Sequence, residues 1–242
     1  MAFNEFLSAR WEYLAMFNYE VDEAVLRPHL PPYTVLDLFN GKAIVSVVGF
    51  LFNDTRVLGI KWPGFVNFEE VNLRYYIKHF DGTDWKRGVG FVSEIVPSSL
   101  VARVANFCYN EHYSTAKMEH SIIRDNHGLQ VSFRWKQKNA AWNTLCVKAD
   151  PVSVEMAAGS GEEFIFEHYF GYNKLNNTTT IEYSLEHPRW EVYPVRDYSI
   201  DCDFRKLYGL DFAPFIQGVK PVSVFLGKGS GVSVRMPGKI KH

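Results

Sequence analysis

The sequence has no surplus of positive charge, because its 26 lysines and arginines are balanced by 27 aspartates and glutamates. The formal net charge at neutral pH is therefore −1. Proteins that bind nucleic acid or an anionic membrane surface need excess cationic side chains to neutralise phosphate groups. The charge balance therefore predicts neither a nucleic-acid partner nor a membrane partner.

Cysteine is scarce as well, and Cys108, Cys146 and Cys202 stand far apart in the chain. An odd number of cysteines without a C-x-x-C pair supplies neither a disulfide framework nor a zinc ribbon, and it fits a reducing compartment. The longest apolar run, residues 43–52, is about half as long as a membrane-spanning helix. The first residues also lack the uninterrupted apolar core of a secretory signal. We therefore expect a cytoplasmic protein.

The common cofactor and catalytic motifs are absent from the sequence. It contains no phosphate-binding loop, no dinucleotide-binding glycine pattern, no H-E-x-x-H and no G-x-S-x-G. The glycines of segment 227–231 lack the spacing that cradles phosphate and are typical of a turn or bulge. His112 and His120 have no third metal ligand nearby in the sequence. We therefore predict no cofactor and no metal site.

Aromatic side chains are abundant: 19 Phe, 13 Tyr and 6 Trp make up 16% of the chain. With 47% hydrophobic and 22% charged residues, the composition is that of a folded protein. No repeat, low-complexity tract or charged linker marks a boundary, so we predict a single domain over residues 1–242. Aromatic rings in this number suit wide sheets around an enclosed cavity.

Hydrophobic patterns predict a protein made mainly of strands. Residues 43–52 are predicted to be a strand buried on both faces. Residues 69–78 and 88–96 are predicted to pair as an antiparallel hairpin. Further strand pairs are predicted for 116–124 with 129–137, around 143–148 with 178–185, and for 221–226 with 231–236.

Two helices are predicted among these strands. One begins at Ser98 or Ser99, since its apolar residues recur at helical spacing as far as Cys108. The other covers Asp203 to Tyr208 and is expected to end at Gly209. Segment 162–173 fits a helix or a strand equally well. The fold class is therefore α+β with a large, predominantly antiparallel sheet, and a closed barrel is one form that this sheet could take.

A row of polar side chains on strand 69–78 is the main candidate for a functional site. Glu70, Asn72 and Arg74 lie on one face of this strand, each about 7 Å from the next. If this face lines a cavity, Glu70 is an acid or base and Arg74 is a clamp for a substrate carboxylate. If the face is solvated, as polar alternation more often indicates, the row has no chemical function.

Lys117 and His187 are two further candidates. A buried lysine favours its neutral amine, which would make Lys117 an imine-forming nucleophile. The alternative is an exposed lysine at the start of a strand. His187 precedes Pro188 in a segment that Trp190 can anchor by packing, and we interpret this segment as a structural loop.

Six segments spread over nearly the whole chain resemble an uncharacterised bacterial family, the YqjF-like proteins. They are WEYLAMFNYEVDEAVLRPHLP, FEEVNLRYYI, KRGVGFVSEIVPS, EHYSTAKM, EHPRW and SVFLGKGSGVSV. That family looks like a distant branch of the acetoacetate decarboxylase-like superfamily. The resemblance implies a cone-shaped antiparallel β-barrel with an internal cavity and a few covering helices.

The resemblance also implies roles for particular residues. Enzymes of the superfamily form a Schiff base on a lysine that is activated by a neighbouring lysine, and they carry a glutamate and an arginine in the pocket. Glu70 matches the glutamate-bearing strand, and Arg103 lies in the helix before the catalytic loop. In that loop this chain has residues 110–114, Asn-Glu-His-Tyr-Ser, in place of the lysine pair. Lys117 takes the place of the reactive lysine only if the alignment of this chain with those enzymes is shifted by a few residues.

Two functional hypotheses follow, and both take a small molecule as partner. The first is an enzyme that acts on a keto acid or related carbonyl compound, with Glu70 and Lys117 as catalytic residues and Asn72, Arg74, Arg103, His112 and Tyr113 as substrate-binding residues. The second is a non-catalytic protein that binds a hydrophobic ligand. A structural alternative is a cavity filled by aromatic side chains. Because related enzymes assemble and strand edges can pair, a homo-oligomer is also an open prediction.

Overall fold

A computed structural model describes residues 5–109 and 113–241 of the protein. The helices in these residues are α1 (Glu23–Leu26), α2 (Ser99–Tyr109), α3 (Gly161–Phe166) and α4 (Phe204–Ile216), with one 3₁₀ turn at Arg27–His29. None of the helices found in this part of the chain is long and apolar enough to cross a membrane.

Strands make up most of the regular structure. The first eight are β1 (Glu5–Val21), β2 (Val35–Leu36), β3 (Ala43–Val57), β4 (Phe68–Phe80), β5 (Trp85–Val96), β6 (Tyr113–Thr115), β7 (Lys117–Arg124) and β8 (Leu129–Lys136). The others are β9 (Asn143–Ala149), β10 (Val154–Glu155), β11 (Phe170–Asn176), β12 (Thr179–Glu186), β13 (Glu191–Tyr193), β14 (Val195–Asp201), β15 (Ser223–Arg235) and β16 (Gly238–Lys241).

Seven strands close into a ring within a twelve-stranded sheet. They are neighbours in the order β15, β1, β3, β4, β5, β11 and β12, and β12 returns to β15 where Leu185 pairs with Val234. Within the ring, β5 and β11 pair in parallel and the other pairings are antiparallel. Closure satisfies backbone groups that an open sheet would leave unpaired at its edges.

A second sheet of four strands, in the order β14, β9, β8 and β7, packs against one face of the ring. Along β8, Val131, Phe133 and Trp135 are buried in this interface, and the residues between them are more exposed. The ring of Phe133 lies against Gly49 of β3, where a Cβ would approach it to 2.8 Å. The missing side chain at Gly49 therefore allows close contact between the two sheets.

Strand β4 is buried on both of its faces. Val71, Leu73 and Tyr75 belong to the core cluster that also contains the buried residues of β8 and β9. Successive side chains of a strand point in opposite directions. Glu70 and Asn72 therefore face away from this core, towards the inside of the ring.

The predicted fold class is confirmed, because the protein consists mainly of antiparallel strands with few helices, and its large sheet closes in a ring. Strands β3, β4 and β5 and helix α2 form where the patterns predicted them. The pairs β4–β5 and β7–β8 are antiparallel, as predicted. Segment 162–173 divides between the two structures that it fitted, since it contains most of α3 and the start of β11.

Two of the predicted strand pairs are wrong. Strand β9 pairs with β8 and β14, whereas β12 pairs with β11, β15 and β16. Alternation identifies a strand but carries no information about its partner, which explains this error. The second wrong pair is 221–226 with 231–236. Both segments belong to one strand, β15, which continues through residues 227–231 and pairs with β1 along its length.

The predicted end of a helix at Gly209 is correct. Gly209 has a φ of 80° and a ψ of −176°, which are not helical, so α4 consists of two helical segments that meet at a kink there. The prediction did not include the second segment, which reaches Ile216. Tyr208, Phe212 and Ile216 on both sides of the kink are buried in the same core, so tertiary packing holds the two segments together.

Gly229 provides a test of how β15 and β1 pack together. It has a φ of 80°, and a Cβ at this position would overlap the carbonyl oxygen of Trp11. We expect Gly229→Ala to lower the free energy of unfolding by about 3 kcal/mol through this overlap and the unfavourable backbone angle. Urea denaturation followed by circular dichroism measures the change.

Gly231→Ala is the matched control for this substitution. A Cβ at Gly231 meets nothing within 4 Å, so its free energy of unfolding should change by less than about 1 kcal/mol. If both variants were as stable as the wild type, the close packing of β15 on β1 would be refuted.

Candidate active site

A pocket of about 140 Å³ lies inside the ring, and all seven ring strands contribute to its wall. We call it the ring pocket. Most of the wall is apolar, and the aromatic rings of Trp11, Phe50 and Phe52 contact one another there. The charged or acid–base side chains in the wall are Glu70, Arg74, Glu94, Tyr113, His168 and Tyr183. An apolar enclosure of this kind strengthens electrostatic interactions at the polar positions.

Glu70 is held in the wall of the ring pocket by two hydrogen bonds. Asn72 Nδ2 donates to Oε1 at 2.9 Å, and the Tyr113 hydroxyl donates to Oε2 at 3.0 Å. Glu70 and Asn72 are each only 3% exposed. Both carboxyl oxygens of Glu70 therefore accept a hydrogen bond inside the wall, which offsets the cost of burying them. The interpretation of this face as solvated is therefore wrong, because the opposite face of β4 already occupies the core.

Arg74 follows Asn72 on the same face of β4 and also lines the ring pocket. Its Nη2 donates to the carbonyl oxygen of Ile165 at 2.9 Å, and its Nε donates to the Tyr76 hydroxyl at 3.3 Å. These bonds fix the guanidinium against α3 and β4. Because Nε and Nη2 are already used, only the remaining N–H groups of Arg74 are available to bind a substrate carboxylate as predicted.

Glu94 is a residue of the ring pocket that the sequence analysis did not single out. It lies on β5 opposite Asn72 of β4 and is 1% exposed. The available signal was a carboxylate within the otherwise apolar strand 88–96, since buried acidic residues are rare unless they are paired or functional. Glu70 and Glu94 thus place two carboxyl groups on neighbouring strands of the wall.

His168 was also missed, and it belongs to a second polar cluster centred on Asp37. His168 Nε2 is 3.2 Å from Asp37 Oδ2, and Arg87 Nε donates to the same oxygen at 2.6 Å. Lys78 Nζ donates to Asp37 Oδ1 at 3.2 Å. Asp37 and His168 are 131 residues apart in the chain, so no local motif indicated their contact.

Burial and hydrogen bonding determine the charges of this pair. Burial lowers the pKa of His168 to about 4, although the hydrogen bond to Asp37 acts in the opposite direction. Burial raises the pKa of Asp37, but hydrogen bonds from His168 and Arg87 outweigh this effect and hold the pKa well below its usual range. At neutral pH the pair therefore consists of a carboxylate and a neutral imidazole. Since a carboxylate has no donor, the imidazole hydrogen is on Nε2.

Lys117 does not have the buried position that an imine-forming lysine requires. Its side chain is 64% exposed, and its Nζ lies 2.9 Å from Glu119 Oε1. The residue begins β7 in the second sheet, outside the wall of the ring pocket. Within residues 5–109 and 113–241, no lysine lines this pocket. The prediction that Lys117 provides a buried amine is corrected, because the start of an outer strand leaves the side chain in solvent.

The other predicted site residues are divided between the pocket and the surface. Tyr113 lines the ring pocket, whereas Arg103 is exposed on α2 and its Nε donates to the Ser99 carbonyl oxygen at 3.2 Å. His112 lies outside the described residues. His187 is not part of the pocket wall and stacks on Trp190, with ring centroids 3.9 Å apart.

Comparison with solved structures identifies the structural class. The enduracididine biosynthesis enzyme MppR, in a complex with pyruvate, matches 97% of this chain and 90% of its own, with a TM-score of 0.63 and 12% identity. Acetoacetate decarboxylase from Legionella pneumophila matches 96% of this chain and 86% of its own, with a TM-score of 0.64 and 12% identity. The protein therefore has an acetoacetate decarboxylase-like fold.

Comparison of sequences identifies the family. Residues 8–230 match the model of DUF2071, which is described as an uncharacterized conserved protein. The uncharacterized protein YqjF of Bacillus subtilis (strain 168) is 25% identical over 181 residues, which are 74% of this chain and 72% of the relative. The chain belongs to the DUF2071 family, and the predicted resemblance to YqjF-like proteins is confirmed.

The pH dependence of stability tests the buried state of His168. Because its pKa falls from 6.5 to about 4 on folding, the unfolded chain binds more protons between these values, and stability is lost as the pH falls through them. The wild type should lose up to about 3 kcal/mol from this group. Asp37 titrates below this window, since its pKa is lowered from 3.8, and it adds a further loss in stronger acid.

His168→Gln isolates this contribution, because glutamine does not titrate in the window and can still donate to Asp37. Urea denaturation at a series of pH values from 7 to 4 measures the free energy of unfolding of both proteins. The variant should show a shallower decline than the wild type. Parallel curves would contradict the buried, neutral state of the histidine.

Proposed function

We propose that the protein is a small-molecule enzyme that acts on a keto acid or related carbonyl compound in the ring pocket, without a lysine imine. The observation that carries the proposal is the buried carboxyl group of Glu70, which Asn72 and Tyr113 hold at the wall of a mainly apolar pocket. The pyruvate complex of MppR, which shares the fold, supports a substrate of this class.

Glu70 acts as a general base towards the carbon next to the substrate carbonyl. The C–H bond breaks, the proton passes to the Glu70 carboxylate, and the electron pair moves onto the carbonyl oxygen to give an enolate. The fixed positive charge of Arg74 on the same face of β4 stabilises the oxygen that becomes negative. Return of a proton to the carbon restores the carboxylate. Asn72 and Tyr113 position Glu70 through their hydrogen bonds.

The volume of the ring pocket limits the size of the substrate. An apolar cavity of about 150 Å³ is large enough to hold benzene. The ring pocket, at about 140 Å³, therefore fits compounds of about six non-hydrogen atoms. Small ketones and keto acids are of this size.

Hydrogen exchange next to the carbonyl tests this function without knowledge of the natural substrate. Pentan-2-one and 2-oxobutanoate are incubated with the protein in deuterated water, and proton NMR follows the loss of the signals beside the carbonyl group. The wild type should accelerate exchange of at least one compound. Glu70→Gln should reduce the enzymatic rate by about 100-fold or more, because the base is lost.

Glu69→Gln is the matched control, since Glu69 is the preceding residue of β4, lies on the opposite face and contacts His120 at 2.6 Å. This variant should exchange at the wild-type rate. Enzymatic exchange that persists unchanged in Glu70→Gln would refute the role of Glu70 as base.

The second candidate function is non-catalytic binding of a hydrophobic ligand. The aromatic wall formed by Phe50, Phe52, Phe68 and their neighbours favours it, because these rings provide a large apolar contact surface. Native mass spectrometry of the purified protein distinguishes the two functions. An apolar molecule that co-purifies, together with no exchange activity in the wild type, is the result expected of a binding protein.

A further inference from the structure

His168 lines the ring pocket and carries a buried hydrogen-bond acceptor. Its side chain is 1% exposed and packs against the rings of Tyr76 and Phe164, with centroids 4.8 and 5.2 Å away. Nε2 carries the imidazole hydrogen and is used by Asp37. Nδ1 is therefore an unprotonated acceptor, and it has no hydrogen-bond partner among the described residues.

The contact with Asp37 does not by itself explain why a histidine is present. Arg87 and Lys78 already neutralise the Asp37 carboxylate with two hydrogen bonds. An apolar ring at position 168 would pack against Tyr76 and Phe164 without burying an unpaired acceptor, which costs free energy. A donor supplied from the ring pocket removes this cost.

We propose that His168 Nδ1 accepts a hydrogen bond from a hydroxyl group of the molecule bound in the ring pocket, and that Asp37 is the residue that positions the imidazole. The inference rests on the proposed function and narrows its substrate class to hydroxylated carbonyl compounds. The binding step forms one O–H···N hydrogen bond and transfers no proton.

Other polar groups of the wall favour an uncharged ligand with donors. Asn72 Oδ1 is a second buried acceptor without a partner in the described part of the chain, and its orientation is fixed because Nδ2 donates to Glu70. Glu70 and Glu94 add two carboxyl groups, whereas Arg74 is the one guanidinium in the described wall. A ligand carboxylate would lie near these oxygen atoms, while a hydroxyl group can donate to an acceptor.

Two ketones of the same size test this inference. In 4-hydroxybutan-2-one a hydroxyl group stands where pentan-2-one has a methyl group, and each compound has six non-hydrogen atoms. Isothermal titration measures their dissociation constants for the wild type and for His168→Gln, which can keep the donor to Asp37 but loses the Nδ1 acceptor. The variant should bind the hydroxyketone about tenfold more weakly and pentan-2-one within about twofold of the wild type.

His127→Gln is the control, because it makes the same substitution at an exposed histidine of the β7–β8 turn. It should leave both dissociation constants unchanged. An equal change for the two ketones in His168→Gln, or no change for either, would overturn the inference while leaving the proposed function intact. If neither ketone binds the wild type, the inference is refuted, whereas hydrogen exchange of 2-oxobutanoate would still support the proposed function. Loss of hydrogen exchange alone refutes only the enzymatic reaction.

A measurement on the wild-type protein decides the question if His168→Gln does not fold. The imidazole nitrogens are labelled with ¹⁵N, and their chemical shifts are recorded with each ketone. The hydroxyketone should shift the Nδ1 resonance of His168 and pentan-2-one should not, because only the hydroxyl group donates to this atom. A purely structural role of the histidine predicts the same spectrum with both compounds.

Discussion

Burial of β4 on both faces is the constraint on which the candidate site depends. One set of its side chains, Val71, Leu73 and Tyr75, is packed in the core between the two sheets. Because side chains alternate along a strand, Glu70 and Asn72 must then point into the ring. A slip of one residue would place the carboxylate in the apolar core and the valine in the pocket, so the packing of the core fixes the chemistry of the pocket wall.

The ring determines how strongly these polar groups interact. Its aromatic wall keeps the local dielectric low, and a charge in such a place is retained only where donors or opposite charges compensate it. Glu70 meets this condition through Asn72 and Tyr113. Asp37 meets it through Lys78, Arg87 and His168. These three contacts connect the segment before β3 with β4, with β5 and with the segment before β11, respectively. The same hydrogen bonds therefore stabilise the fold and fix the positions of polar side chains in the pocket wall.

The protein has an acetoacetate decarboxylase-like fold, and no lysine lies in the described wall of its ring pocket. Lys117 lies on the outer sheet, paired with Glu119. What remains in the pocket is a set of carboxyl groups, a fixed guanidinium and a neutral imidazole. Such groups suit proton transfer and hydrogen bonding rather than covalent attachment through an amine. In this respect the pocket illustrates that a fold fixes the location of a site but leaves its chemistry to the residues in the wall.

The sequence by itself determined the strand-rich fold class, the position of α2, the family and the row Glu70–Asn72–Arg74, because these depend on local alternation or on segments that can be matched directly. It did not determine whether that row faced water, since alternation is the same for a solvated face and for a face inside a ring. Only the tertiary structure brought Asp37 to His168 and Tyr113 to Glu70. Ring closure and the packing of the second sheet join residues that are far apart in the chain, and no local pattern contains that information.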